Sequence, residues 1–371
     1  MDKRTSPKCE WKILGTSVQG ALHRVRGLPC QDAHLWSSQT ESAERLVAAL
    51  ADGHGSARSF RSDIGARFAV ETAVEVLGEL LKTDRPPAPL SPKSLQRSAE
   101  RIVERWREKV RSHFYEHPIT AAELEALQNE GEVTPRDTLE ADPFLIYGTT
   151  LLAFVASGYH IALLQIGDGD ALVVYRDGQV TRPILKDARH IANETTSLCM
   201  EDAAQEFRFA TLNACRNDMM MIMLSTDGYV NSFVDEKSFF KAATDLAGLL
   251  ANGRDEDVKT NLETWLSDTS REGSGDDITV LLIASANPLV RLSDRDMPRR
   301  KPFSWPAFLL GLAIGALLTA AIFHWWPSPK PKHISIPPSI SRPKPAQSVP
   351  KTGKKMPPKH GEPITKPSVG E

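Results

Sequence analysis

The stretch ADGHGSARS, residues 51–59, decides how this chain is read. The apolar run RLVAAL (45–50) leads into it, and FRSDIGARFAV (60–70), with helical spacing, leads out. A short apolar run closed by glycines reads as a buried strand. Gly and Asp also make turns on their own account. Asp52-Gly53-His54-Gly55 is therefore either a tight exit from a strand or the centre of a site, and its company elsewhere in the chain has to decide.

Five more segments read as strands next to turns. They are TTLLAFVAS (149–157), HIALLQIGDGD (160–170), ALVVYRDGQV (171–180), MMMIMLSTDG (219–228) and DDITVLLIAS (276–285). Asp177–Gly178 is a hairpin signal. Segments 61–82 and 94–115 read as amphipathic helices, the second with Leu95, Ile102, Trp106, Val110 and Phe114 near helical spacing. RPPAPLSP (85–92) separates them. Residues 236–251 and 255–268 read as a second helical pair. Strand runs mixed with helix pairs predict an α+β fold, a four-layer α/β/β/α sandwich. No repeat period is visible.

Four Asp-bearing turns stand out: PCQDAH with Asp32, ADGHG with Asp52, STDGY with Asp227, and GSGDDIT with Asp276 and Asp277. IGDGD adds Asp168 and Asp170. Asp52, Asp168 and Asp227 close apolar strand candidates, and Asp276 precedes one. A hard divalent cation takes oxygen ligands, and two of them need several carboxylates from different segments. Glycine after Asp lets the backbone come close enough for its carbonyl to serve as a ligand. Each Asp-Gly taken singly reads first as a tight turn; their joint occurrence on strand ends points to a metal site.

In these motifs and their order, the sequence resembles the metal-dependent PPM, or type 2C, protein Ser/Thr phosphatases over roughly residues 10–285. PCQDA resembles the first acidic motif, ADGHG the Asp-Gly-His-Gly motif, and YGTTLL (147–152) the Gly-x-Thr strand. IGDGDALVVYRDGQV resembles the Gly-Asp hairpin, STDGYVN the Ser-x-Asp-Gly motif, and GDDITVLLI the closing Asp-Asn-x-Thr strand. GLPCQDA, DGHGSA and YGTTLL look like a bacterial branch. The resemblance implies two Mn²⁺ or Mg²⁺ ions in a β-sandwich flanked by helix pairs. It makes Asp52 the bridging ligand and the Gly53 carbonyl a ligand of one ion. Asp227 and Asp276 are expected to hold the second, with Asp32 as another acidic ligand. A water of lowered pKa attacks phosphorus in line without a phosphoenzyme, and His54 is the expected general acid.

The chain departs from the family pattern in several places. The phosphate-gripping Arg is usual five residues before the first Asp, where this chain has Gly27. Arg26 is the first substitute, because a guanidinium grips phosphate bidentately; His23 and Arg24 are near. Asn231 stands where a third-metal Asp is common. With Asp168 alone, a third ion binds more weakly or not at all. Asp277 replaces an Asn and reads as a solvated turn residue or an outer acceptor. Ser56 replaces a second Gly. His113, His117, His160 and His190 lack ligand spacing and read as surface or packing residues. Met219–Met221 read as strand core.

Charge divides the chain. It holds 45 Lys/Arg and 47 Asp/Glu, but residues 291–371 carry 14 against 4 and the first 290 carry 31 against 43. The acidic globular part argues against nucleic acid as a partner. Cys9, Cys30, Cys199 and Cys215 form no CxxC pair, which suits a reduced compartment. Residues 303–323, FSWPAFLLGLAIGALLTAAIF, hold no charge, and Trp305 and Trp325–Trp326 flank them as interfacial aromatics do. The expected organisation is a phosphatase-like domain at 8–287 and a basic linker at 288–302. A single transmembrane helix at 303–326 follows, with a GxxxG at Gly311 and Gly315. The Pro/Lys-rich tail 327–371, with 12 prolines in 45 residues, reads as disordered. The start of the chain shows no secretion signal, so the catalytic domain is expected on the cytoplasmic side of the inner membrane.

The functional expectation is a membrane-anchored phosphatase acting on phosphoserine and phosphothreonine proteins and paired with a Ser/Thr kinase. The alternative is a non-catalytic phosphatase-fold module that binds or scaffolds at the membrane.

Overall fold

A computed structural model describes residues 10–38, 44–83, 90–129, 135–187, 195–214 and 219–285. The chain divides into residues 1–323 and 324–371, and every described residue belongs to the first unit. The linker, the apolar stretch 303–326 and the tail lie outside the described residues, as do His190, Cys9 and Cys215. Among the described residues no helix is long and apolar enough to cross a membrane.

The first half runs β1 (Trp11–Val18), α1 (Ala21–Arg26), β2 (Asp32–Ser38), β3 (Arg45–Asp52), α2 (Ser62–Thr83), α3 (Pro92–Glu116), α4 (Ala121–Asn129) and α5 (Arg136–Ala141). The second half runs β4 (Leu151–Ser157), β5 (His160–Ile166), β6 (Asp170–Tyr175), β7 (Val180–Thr181), β8 (Arg208–Asn213), β9 (Met219–Ser225), α6 (Asp227–Val230), α7 (Glu236–Ala251), α8 (Asp255–Glu272) and β10 (Ile278–Ser285). Short 3₁₀ turns at Ala57–Ser59 and Pro143–Tyr147 flank the entry to α2 and β4.

The strands form two five-stranded sheets in the orders β1-β10-β9-β6-β7 and β2-β3-β4-β5-β8. Every pairing is antiparallel. Alternation along β3 shows how the layers stack. Leu46, Ala48 and Leu50 join Phe154, Leu163, Val173, Ile222 and Leu281 in the core between the sheets. Val47, Ala49 and Ala51 face the other way, with Ala66, Ala69 and Ala73 of α2 and Trp106 of α3. The alanines on both sides let α2 lie close on its sheet. On the far face, Leu172, Met221, Met223 and Leu282 pack against Phe239 and Leu246 of α7 and Leu262 and Leu266 of α8. Three apolar layers therefore separate helices, sheet, sheet and helices. Each fully buried Leu, Ile, Val or Phe in them contributes about 1.5–3 kcal/mol.

Local signals set the helix starts. Ser91 caps α3, its side chain accepting from the Ser94 N–H at 3.1 Å, with Pro92 in the first turn. Asp235 caps α7 by accepting from the Ser238 N–H at 2.8 Å. Gly178, at φ 85°, makes the β6–β7 hairpin turn that Asp177–Gly178 predicts. Met219 and Met221 are buried strand residues, as expected.

Candidate active site

Both sheets deliver carboxylates to one end of the sandwich. Asp32 opens β2 and Asp52 closes β3, and the register of that pair sets them side by side. Asp227 follows β9 as the first residue of α6, and Asp276 and Asp277 immediately precede β10. Thr226 and Thr279 join the two sheets at this end. The Thr226 N–H donates to the Thr279 carbonyl at 3.1 Å, and the Thr279 N–H to Thr226 Oγ1 at 2.9 Å. Both hydroxyls then donate to Asp32 Oδ2, at 2.8 Å from Thr226 and 2.7 Å from Thr279.

Asp32 is 8 % exposed, and its Oδ1 is buried with no hydrogen-bond partner among the described residues. A buried carboxylate oxygen left so costs free energy, because water no longer solvates it. Burial raises the Asp32 carboxyl well above the usual carboxylate range; the Asp277 charge adds to this, and the two threonine bonds oppose it. Asp52 is pushed up in the same sense, first by burial and then by the charges of Asp32 and Asp227. Burial, then the Asp168 charge, pushes Asp227 up to about 6. Asp276 is also raised, mainly by burial. Nearby positive charge would favour the ionised form of all these groups together.

The backbone around Asp52 is held tightly. Its carbonyl accepts from the Thr150 N–H at 2.8 Å and from Thr149 Oγ1 at 2.9 Å. Gly53 leaves no room for a side chain, since a Cβ would stand 2.7 Å from the carbonyl oxygens of Gln31 and Ser62. The His54 N–H donates to the Gly148 carbonyl at 3.0 Å. Burial lowers the His54 imidazole, and the charge of Asp168 pulls it the other way. Asp168 therefore stands close enough to act on both His54 and Asp227. It lines a cavity of about 250 Å³ together with Asp227, Asn231, Arg182, Lys186 and Arg208.

The candidate phosphate ligands fare differently. His23 is buried on α1, with Nδ1 2.9 Å from Asp277 Oδ2 and Nε2 3.4 Å from Asp276 Oδ1. It is engaged by carboxylates, which corrects the expectation that it faces a phosphate. Arg26 lies one turn further along α1 and is exposed. Gly27 at φ 70° ends that helix.

Asp277 is the clearest correction. It is 3 % exposed, not a solvated turn residue. Its Oδ1 accepts from the Gly20 N–H at 2.5 Å and its Oδ2 from the Gln31 N–H at 2.6 Å. It ties the loops on both sides of α1 to β10. Asp170 is likewise structural: it is buried, held by Arg182, with Lys186 Nζ at 3.8 Å. The sequence reading also missed Thr226 and Thr279 as partners of Asp32. Both lie within quoted motifs, but their bonds to a residue some 200 positions away have no local signature.

Several solved structures are similar to this chain. They include the Mycobacterium tuberculosis serine/threonine phosphatase PstP/Ppp, at 16 % identity over 75 % of this chain and 99 % of that one, with a TM-score of 0.45. PppA, described as a regulatory component of T6SS in Pseudomonas aeruginosa, is 18 % identical over 75 % and 99 %, with a TM-score of 0.45. The serine/threonine phosphatase Stp1 from Staphylococcus aureus is 13 % identical over 77 % and 100 %, with a TM-score of 0.47. No curated protein is matched. Residues 19–267 match the sequence profile of protein phosphatase 2C. The chain belongs to the protein phosphatase 2C family, metal-dependent protein serine/threonine phosphatases that work with two Mn²⁺ or Mg²⁺ ions.

Proposed function

We propose that this chain hydrolyses phosphoserine and phosphothreonine in proteins at the carboxylate end of the sandwich, as a membrane-anchored enzyme. The observation that carries the reading is Asp32 Oδ1, buried with no hydrogen-bond partner among the described residues and set among carboxylates whose ionisation is suppressed. Hard oxygen donors in that state fit Mn²⁺ or Mg²⁺. As the side chains stand, no three His, Cys, Asp or Glu among the described residues enclose an ion. The fit rests on the donor chemistry, the orphaned oxygen and the close backbone at Gly53.

In this reading Asp52, the Gly53 carbonyl, Asp227 and Asp276 would hold the two ions, with Asp32 as a further ligand. Bound there, the ions supply Lewis acidity and a water of lowered pKa for in-line attack at phosphorus. Thr226 and Thr279 hold Asp32 so that Oδ1 stays available. The Asn231 amide donates to Asp227 Oδ2 at 3.0 Å and orients it. His54 gives its proton to the departing Ser or Thr oxygen; burial works against the protonated ring and the Asp168 charge works for it. Arg26, exposed at the end of α1, would grip the phosphoryl group. Asp168 with Asn231 supports at most a weak third ion.

The rest of the organisation follows from the sequence. Residues 8–287 form the catalytic domain, 288–302 a basic linker, 303–326 a single membrane span and 327–371 a Pro/Lys tail. The catalytic domain faces the cytoplasm and opposes a Ser/Thr kinase. Alkaline extraction of membranes from cells making the full chain tests the span: release of the protein into the soluble fraction removes it. The activity is tested with a phosphothreonine peptide and Mn²⁺. The full chain is expected to release phosphate, and Asp52→Asn to lose nearly all of it. No activity above that variant would favour the non-catalytic scaffold.

A further inference from the structure

We propose that Arg61 and Tyr147 form a clamp that positions His54. The inference rests on the reading of His54 as proton donor and adds what holds it in place.

Arg61 precedes α2 and is 6 % exposed. Its Nε and Nη2 donate to the two oxygens of Glu123 at 2.7 and 3.0 Å. Nη1 donates to the His117 carbonyl at 2.6 Å, and Nη2 to the Pro118 carbonyl at 3.2 Å. A further bond runs from Nη1 to the Tyr147 hydroxyl at 2.9 Å. That hydroxyl also lies 2.8 Å from His113 Nδ1. The phenol is thus fixed from two sides, and Tyr147 is fully buried.

The backbone of Tyr147 is fixed as well. The Arg61 N–H donates to the Ile146 carbonyl at 3.0 Å. A Cβ on Gly65 would stand 1.9 Å from the Tyr147 carbonyl oxygen, so that peptide lies directly on α2. The next residue is Gly148, which meets His54 twice. Its carbonyl accepts the His54 N–H, and a Cβ on it would stand 2.5 Å from His54 Cδ2. The wall is closed on the other side by Ser59, whose hydroxyl donates to the Leu145 carbonyl at 2.8 Å. Two consecutive residues therefore connect a buried guanidinium to the imidazole. The planar fork of Arg makes five directed bonds here, which a Lys ammonium cannot reproduce. Arg61 and Tyr147 touch neither substrate nor reacting atoms; they are positioning residues.

The test uses the full chain and its Tyr147→Phe, Arg61→Lys and His54→Gln variants. A phosphothreonine peptide needs its leaving oxygen protonated, whereas p-nitrophenyl phosphate releases a stable phenolate without help. Tyr147→Phe and Arg61→Lys are expected to lower kcat on the peptide by about 10- to 100-fold. The rate on p-nitrophenyl phosphate and KM for both substrates should hold near wild type. In chelator, diethyl pyrocarbonate should modify His54 faster in both variants, as followed by mass spectrometry. Equal losses on the two substrates, or wild-type His54 reactivity in Tyr147→Phe, overturn the clamp. Should Arg61→Lys fail to fold, Tyr147→Phe decides alone, since it removes a single oxygen. If His54→Gln itself spares the peptide reaction, the proton-donor reading fails, and His54 reactivity still decides the clamp.

Discussion

Replacing Asp227 by Asn should stabilise the metal-free protein while weakening its response to Mn²⁺. Asp227 sits at the first residue of α6, where burial and then the Asp168 charge push its carboxyl up to about 6. Against an ordinary value of 3.8, the ionised form costs about 3 kcal/mol at pH 7 as an upper bound. Neighbouring carboxylates share that cost, so about 1–3 kcal/mol is a fair expectation. The sign follows from proton binding. Between about pH 4 and 6 the folded state holds the proton and the unfolded state has lost it, so stability falls as pH rises. Above about pH 6 the penalty is fully present, and it is relieved as pH falls towards 4. Asn is nearly isosteric, carries no charge and can still accept from Asn231. The variant should therefore unfold some 2–12 °C later than wild type in chelator at pH 7, at roughly 2–4 °C per kcal/mol, and with a flatter pH dependence. Mn²⁺ reverses the order. Wild type gains about 2.7 kcal/mol at 100-fold excess over the dissociation constant, and the variant gains much less. Thermal unfolding with and without Mn²⁺, from pH 4.5 to 8, reads both effects. A variant less stable than wild type in chelator at pH 7, or one that Mn²⁺ stabilises equally, would refute the reasoning.

Other substitutions separate support from chemistry. Asp277→Ala leaves the buried N–H groups of Gly20 and Gln31 without their acceptor, and should cost about 3–5 kcal/mol in urea unfolding. Thr279→Val removes one of the two donors that orient Asp32; Mn²⁺ affinity by calorimetry should fall about 10-fold or more, with the fold retained. Burial opposes ionisation of Glu123, but hydrogen bonds from Arg61 and Thr120 outweigh it and hold the carboxyl down at about 2. This stabilisation is present above about pH 4.5 and is lost as pH falls towards 2. Glu123→Gln should cost about 1–2 kcal/mol at pH 7, allowing for solvent screening, and almost nothing at pH 2, in urea unfolding followed across that range.

What could be read from the sequence divides along the sheets. Strands β3, β4, β5, β6, β9 and β10 are buried on both faces or nearly so, and each shows as a continuous apolar run. The missed strands, β1, β2 and β8, are all edge strands. WKILGTSV, DAHLWSS and RFATLN are mixed or polar because an edge need not be apolar and is safer if it is not. Helices α2, α3, α7 and α8 match the expected segments within a few residues. Short α1, α4, α5 and α6 bury too few residues to show a period. At the site, Asp52, Asp227 and Asp276 could be placed because the ends of β3, β9 and β10 are visible as boundaries. The same local view misread Asp277 and His23. Their partners come from across the fold, and a turn composition looks the same whether the turn is solvated or buried.

The central claim is that the carboxylates at 32, 52, 227 and 276 exist to hold two cations. Titrating Mn²⁺ into the chelator-stripped full chain, with free ion counted by electron paramagnetic resonance, tests it most directly. The account predicts two tightly bound ions per chain for wild type and loss of both tight sites in Asp52→Asn, whose side chain would serve both. Two ions bound equally well by Asp52→Asn, or none bound by wild type, would contradict it.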